Sequence, residues 1–423
     1  MLLEFSCANF RSINHKCTLS LLGQGISDMP KTNFVLLNKK LKVLKTAALY
    51  GANSSGKSNI IRAFSSMISH IIDSVKLNDS DELNFDPFRL SSVQGNATFF
   101  EIIFTSNNKT FRYGFEFDKE SIRGEWLYSS NIGGIREKVL FIRNEDGIGV
   151  NGQLFQEGVD KEENTNTNRL FLSLCAQLGG ELSKQIIAEF KQMNVISGIQ
   201  GQGYSGYSKL MLHQHLDGYE SAIKFFNKLR LGFDGIETVE QEFDISLLPP
   251  DMPDNMKEEL IKELKGKRSI NLYSRHKIYG KRGVAIGTTK FDIDEESDGT
   301  KKLIQLSGPI FDTLAKGNIL WVDELDAKMH PLISQYIVAL FNDPITNPHN
   351  AQLIFSTHDT HLLSSKLLRR DQIWFTEKDQ SEQTDLYNMM DIELPDGSKP
   401  RSDSNFERNY IAGRYGAIPY INE

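Results

Sequence analysis

The stretch Leu44-Lys-Thr-Ala-Ala-Leu-Tyr50-Gly51-Ala-Asn-Ser-Ser-Gly56-Lys57-Ser58 decides the fold. A short apolar run ending in glycine reads as a buried parallel strand. Apolar residues at helical spacing follow from about Ser58 to Val75. Between strand and helix, Gly51-x-x-x-x-Gly56-Lys57-Ser58 has the form and the context of a phosphate-binding loop. Its backbone N–H groups, along Gly51, Ala52, Asn53, Ser54, Ser55, Gly56, Lys57, Ser58 and Asn59, are expected to cradle an anion at the helix N-terminus. Lys57 would reach the β- and γ-phosphates and the Ser58 hydroxyl would ligate magnesium, so ATP and Mg2+ are the expected cofactors. A chance match is expected in roughly one chain of this length in a hundred, which disfavours an ordinary glycine turn.

Working outward, Ile319-Leu-Trp-Val-Asp323-Glu324 is an apolar strand ending in two acids. Asp323 is suited to hold magnesium and Glu324 to polarise an attacking water. An acidic pair that only caps a strand is the weaker reading after a phosphate loop. Upstream, Glu296-Ser297-Asp298-Gly299-Thr300 is a small-residue turn opening a helix, able to present hydroxyl and N–H donors to an anion. A plain helix cap explains those five residues equally well, and their place before the acidic strand favours a signature loop. Phe355-Ser-Thr-His358-Asp359 puts an imidazole at a strand end, where His358 could meet a γ-phosphate. Asp326, just past the acidic pair, is expected in a loop that bridges subunits.

The interval from Lys57 to Asp323 far exceeds one βαβ unit, so other structure must be inserted within one nucleotide fold. The expected fold is α/β, a P-loop NTPase of ABC/SMC-head type with an antiparallel β-subdomain and an inserted α-helical lobe. Residues 1–165 would give the first part of the head, 166–232 the helical lobe and 233–423 the rest of the head. Within the lobe, the glycine-rich 198–207 is expected as a loop. A chain of 423 residues with 39% hydrophobic and 24% charged residues has an ordinary globular composition and room for two lobes. The net charge of −7 argues against a surface that coats nucleic acid everywhere. Cys7, Cys17 and Cys175 form no paired framework and read as buried small hydrophobes. No apolar run reaches membrane-spanning length, and the first residues fit a strand better than a secretory signal, so a cytoplasmic location is expected.

Three weaker features carry competing readings. Between Lys262 and Arg282, the cations Lys265, Lys267, Arg268, Arg275, Lys277 and Lys281 interleave with Tyr273 and Tyr279. They could bind nucleic acid, or form a solvated strand edge, which is the slightly favoured reading. Asp292 and Asp294 have the D-x-D form of a metal site but lack an accompanying acidic cluster, and read as structural. Arg369 and Arg370 read as surface or packing positions.

The series formed by the phosphate loop, ESDGTKKL, WVDELDAKMHP, LIFSTHDTHLL, RRDQIWFTEKD and the terminal YIAGRYGAIP resembles the AAA-type ATP-binding proteins of bacterial abortive-infection and restriction-linked loci. That RloA/AbiL-like group is related to SMC and RecF heads. The resemblance implies an ATPase that pairs head to tail with itself, or in a larger homo-oligomer, and serves antiphage defence by controlling a separately encoded effector. It places Asn9, Phe10 and Arg11 beside the nucleotide, with Ser297 and Gly299 meeting the γ-phosphate held by the opposite subunit. The change from LSGGQ to ESDGT departs from transporter ATPases. The middle of the chain matches only diffusely, and the glutamine of a Q-loop is not placed. The competing reading is a RecF/SMC-like ATPase that clamps DNA.

Overall fold

In the computed structural model every residue is described except 29, 39–40, 92–95, 243–251, 265, 267, 395 and 420–423. Along the chain run β1 (Leu2–Ala8), β2 (Cys17–Ser20), β3 (Phe34–Leu36), β4 (Lys42–Leu44), β5 (Thr46–Tyr50) and α1 (Lys57–Asp73). Next come β6 (Thr98–Ser106), β7 (Lys109–Phe117), β8 (Ile122–Asn131), β9 (Lys138–Asn144), β10 (Gly147–Val150), α2 (Phe171–Gln177), α3 (Glu181–Lys191) and β11 (Met193–Ser197). They are followed by α4 (Gln202–Gln214), α5 (Tyr219–Leu229), β12 (Ile236–Glu242), α6 (Asp254–Leu264), β13 (Arg268–Tyr279), β14 (Ala285–Asp292) and α7 (Asp298–Lys316). The chain continues through β15 (Ile319–Asp323), α8 (Pro331–Asn342), β16 (Gln352–Ser356), β17 (Ile373–Lys378), β18 (Thr384–Asn388) and α9 (Phe406–Ile411). It divides into two units, residues 1–199 with 317–423, and residues 200–316.

The first unit holds two large sheets. One is antiparallel, in the order β10-β9-β8-β7-β6-β1-β2, and the other runs β11-β15-β16-β5-β17-β18. In the second, β11, β15, β16, β5 and β17 are parallel and β18 closes the edge antiparallel. The antiparallel sheet follows from strict alternation: Phe111, Tyr113, Phe115 and Phe117 of β7, with Phe100, Ile102 and Phe104 of β6, are all buried. α1 turns Ile60, Ile61, Phe64, Met67, Ile68 and Ile71 inward at helical spacing. Phe64 stacks on Trp321 of β15 at 4.3 Å and meets the edge of Phe5 of β1 at 5.1 Å, so α1 is gripped by both sheets. Gln352 adds a buried polar link between them: its side chain accepts from Leu2 N–H at 2.7 Å and donates to the carbonyls of Leu2 and Leu44.

Arg369 and Arg370 prove to be packing positions rather than surface ones. Arg369 is 1% exposed and binds Asp371 through two bonds of 2.9 and 2.8 Å, while Arg370 grips Asp28. The four side chains neutralise one another, which is what allows them inside.

The second unit has the antiparallel sheet β12-β13-β14, and α4 and α5 pack on α7. Pro309 lies inside α7 and cannot donate to the carbonyl of Gln305. The Ser208 hydroxyl of α4 donates to that carbonyl instead, and accepts from Gly308 N–H at 3.2 Å.

Two expectations are corrected here. The lobe foreseen over 166–232 is split: α2, α3 and β11 belong to the first unit, and the second unit, 200–316, contains strands as well as helices. Five-residue β11 was hidden among helical periods, because a short buried run fits either structure. The glycine-rich stretch is largely helical, since α4 starts at Gln202 and takes Gly203 and Gly206 into its first turns.

Replacing Phe64 by Ala empties the contact between α1 and both sheets, so Phe64→Ala should destabilise the fold by about 3–5 kcal/mol. The midpoint of chemical denaturation measures it, with Ile68→Val expected to cost no more than about 1.5 kcal/mol.

Candidate functional site

Parallel pairing sets the carboxyl ends of β5, β15 and β16 side by side, and the chemistry gathers beyond them. From β5 the chain turns through Gly51, whose added Cβ would meet the carbonyl of Thr376 at 2.5 Å. At Gly56 φ is +112°, a left-handed conformation that favours glycine, and α1 starts at the next residue. Ser55, Gly56 and Lys57 are buried, whereas Asn53 and Ser54 are exposed at the turn. Lys57 Nζ donates to the carbonyls of Gly51 at 2.8 Å and Ala52 at 3.0 Å. Burial brings its pKa from 10.5 down to about 8, against the opposing pull of Glu324, Asp323 and Asp326.

The Asp323 carboxylate at the end of β15 accepts the Ser58 hydroxyl at 3.0 Å and the Ser356 hydroxyl at 2.6 Å. Ser356 also accepts from Glu324 N–H at 2.7 Å, and its carbonyl accepts from Leu325 N–H at 3.0 Å. The turn after β15 is thereby fixed to β16. Glu324 adopts a left-handed backbone with φ +57°, which costs an L-residue about 1–2 kcal/mol and swings its side chain away from the line of the strand. Asp326 accepts the backbone N–H of His358 at 3.3 and 3.4 Å. The His358 imidazole is held below its usual pKa by burial first and by Lys57 second, so it stays neutral over most of the physiological range.

The structure therefore brings Asn53, Ser54, Ser55, Gly56, Lys57, Ser58, Asn59, Glu324 and His358 around one cleft of about 660 Å³, together with Arg62 and Lys378. A neighbouring cleft of about 410 Å³ shares Asn59 and Lys378 and is lined by Arg11, Ser12, Asp86 and Phe88. Arg11 pairs with Asp86 at 2.8 Å and lies 5.7 Å over Phe10, while the side chain of Asn9 braces the segments at Phe88 and Asn96.

Several residues here escaped the sequence reading. Thr376 binds Ser55 at 2.6 Å, and Thr384 donates to the Ser55 carbonyl at 3.1 Å. Ser12 joins Thr384 at 2.8 Å to Asn59 at 2.6 Å. Gly198 follows β11 and donates to the Asp323 carbonyl at 2.5 Å, and a side chain there would collide with the Glu324 carbonyl. The terminal YIAGRYGAIP segment also reaches the strand before the loop: Tyr410 packs edge-on against Tyr50 and donates to the Ala417 carbonyl at 3.0 Å. Ser356, Thr376 and Tyr410 lie inside stretches already quoted, whereas Ser12 and Thr384 carry no local signal.

Ser297 and Gly299 belong to the second unit. There the Ser297 hydroxyl accepts from Thr300 N–H at 3.2 Å as a helix cap of α7, so the bland reading holds at least in part. Asp292 caps the turn before it, accepting from Asp294 N–H at 2.9 Å, which matches the structural reading of the D-x-D pair. Among the described residues no cluster of three or more metal-binding side chains occurs. Three cations of the basic stretch are neutralised by β12 and the turn before it. Arg268 pairs with Glu240 at 3.2 Å, Arg275 with Glu237 at 3.5 Å and Lys277 with Asp234 at 3.2 Å. Lys265 and Lys267 lie outside the described residues.

Lys57 titrates at about 8 in the folded chain and near 10.5 unfolded, so the unfolded chain binds more protons between these values. Stability of wild type relative to Lys57→Met should therefore rise as pH rises from 8 towards 10.5, and stay level below pH 8. Denaturation midpoints of the two proteins across that range check it.

No curated protein matches the chain in sequence. Among solved structures, it is similar to an Smc head bound to the C-winged helix domain of ScpA, with 12% identity, a TM-score of 0.37 and coverage of 92% of this chain and 97% of that one. It is also similar to the recombination mediator protein RecF in its RecF-ATPrS form, at 12% identity and TM-score 0.32, over 91% and 98% of the two chains. Among the described residues no helix is long and apolar enough to cross a membrane. With residues 47–148 and 209–364 matched, more than half of its length, the chain belongs to the P-loop ATPase family described as "AAA domain, putative AbiEii toxin, Type IV TA system".

Proposed function

We propose that the chain binds and hydrolyses ATP, and that two copies close head to tail around paired nucleotides as a switch in bacterial antiphage defence. The observation that carries this reading is the Asp323 carboxylate, held 3.0 Å from the Ser58 hydroxyl at the mouth of the loop. Mg2+ takes oxygen ligands, with one or two carboxylates beside substrate phosphates, and Ser58 with Asp323 fits that donor set. When bound, the ion would offset charge on the phosphates.

Lys57, released from the Gly51 and Ala52 carbonyls, is placed to pair with phosphate oxygens, and the N–H groups along 51–59 to donate to them. Glu324, turned out of the strand by its left-handed backbone, is the base that orients and deprotonates water. His358, neutral and anchored through its own N–H to Asp326, would donate or accept one hydrogen bond at the γ-phosphate. Ser297 and Gly299 of a second copy would complete the site, so ATP would favour the closed pair and ADP would not. The RloA/AbiL-like resemblance and the family description support a defence role exercised through a separately encoded effector.

With Glu324→Gln, phosphate release should fall at least about a hundred-fold while ATP binding persists. Light scattering should then show an ATP-dependent rise in mass in the variant. Persistent hydrolysis would remove Glu324 from the role of base, and a mass that ignores ATP would remove the paired switch.

The second reading, a DNA-clamping ATPase, has one observation in its favour. At the tip of the β13–β14 hairpin Tyr279 is 63% exposed beside exposed Lys281 and Arg282, for which no ion pair occurs among the described residues. If that tip holds DNA, Lys281→Glu with Arg282→Glu should abolish DNA-stimulated hydrolysis and flatten the salt dependence of binding. Unchanged binding would leave the defence reading alone.

A further inference from the structure

Cys7 of β1 and Cys17 of β2 stand directly opposite each other across the antiparallel pair, with their sulfurs 3.5 Å apart. Both thiols are free. Opposed residues of such a pair have Cα atoms about 4.5–5.5 Å apart, within the span of a disulfide. The two environments differ. Cys7 is sealed in the core, and its hydrogen bond with Cys17, followed by burial, pushes its thiol pKa up. Cys17 lies on the outer strand of the sheet and is only half-buried. The sequence shows no CxxC spacing here, because the pair is made by strand register and not by proximity along the chain.

We propose that Cys7 and Cys17 form an oxidation site for hydrogen peroxide, which closes to an intramolecular disulfide within the folded protein. The Cys17 thiolate attacks one peroxide oxygen, the O–O bond breaks, and hydroxide leaves with the second oxygen and takes up a proton as water. Cys17 is then a sulfenic acid. The Cys7 sulfur attacks the Cys17 sulfur, its proton passes to the departing hydroxyl, and water is released. Two thiols and one peroxide thus yield one disulfide and two waters, with both sulfurs oxidised and the peroxide reduced.

Closure draws sulfurs now 3.5 Å apart to about 2.05 Å, at the base of the loop 8–16. That loop carries Arg11 and Ser12, and Ser12 is hydrogen-bonded to Asn59 and Thr384 beside the phosphate loop. Oxidation should therefore loosen the nucleotide cleft, a consequence that rests on the ATP-binding reading above.

The test uses the native chain exposed to hydrogen peroxide, then denatured, alkylated and weighed without reductant. Wild type should carry a single alkyl group, on Cys175, where the unoxidised control carries three, and a thiol reductant added before alkylation should restore all three. Cys17→Ser should form no crosslink, and Cys7→Ser should hold a sulfenic acid that dimedone traps. A crosslink through Cys175, or oxidation beyond the sulfenic acid with no crosslink in wild type, overturns the proposal. Titration with a fluorescent ATP analogue then reads the coupling. Affinity should fall about five-fold or more in oxidised wild type, the loss of about one hydrogen bond, and not in Cys17→Ser. Equal affinities would overturn the coupling and leave the oxidation site standing. If reduced wild type binds no nucleotide, the functional reading fails and the mass alone judges the site.

Discussion

The mutual contact of Phe64 with Phe5 and Trp321 seats α1, and with it the phosphate loop, in the first unit. α1 starts where the phosphate loop ends, so the direction of its N–H groups is only as definite as the seating of the helix. Phe5 and Trp321 also meet each other at 5.9 Å, so the three rings close a triangle that leaves little freedom for α1 to roll or slide, and interiors packed at crystal density do not yield by small steps. Gln352 acts in the same region by a different means, since its buried amide would be unsatisfied if the sheets moved apart. Apolar packing thus supplies the force, and one amide supplies the register.

Within that frame, the site is arranged by small hydroxyl side chains. Ser58 and Ser356 orient the Asp323 carboxylate, Ser356 also ties down the turn at Glu324, and Thr376 and Thr384 brace the loop at Ser55. This explains the uneven legibility of the site. Gly51–Ser58, Asp323–Glu324 and His358 could be read from the sequence because their geometry is local: a turn, a strand end, a helix start. Ser12 and Thr384 could not, since their contact spans most of the chain and each is an unremarkable residue among its neighbours.

The fold shows the same division. The antiparallel sheet and α1 were visible as periods of two and of 3.6. β11 was not, being five residues long and recognisable only by its partner β15, from which the whole second unit separates it in sequence. In the basic stretch, which the sequence slightly favours as a strand edge, the ion pairs themselves could not be read: the acids that neutralise Arg268, Arg275 and Lys277 lie on β12 and the turn before it, more than two dozen residues upstream, and the strand pairing brings them near. Local chemistry is written in the sequence, whereas cancellation of charge across a sheet is written only in the pairing.

The position of β5 has a consequence for the life of the chain. Thr46–Tyr50 carries the phosphate loop yet lies between β16 and β17, pairing through Thr46 with Leu353 and through Ala48 with Ile373. During synthesis on the ribosome, the loop is made early and its two flanking strands come only after both the antiparallel sheet and the second unit. Such distant pairing closes slowly and late. A nascent or truncated product ending before β16 would therefore carry the loop without the strands that flank β5.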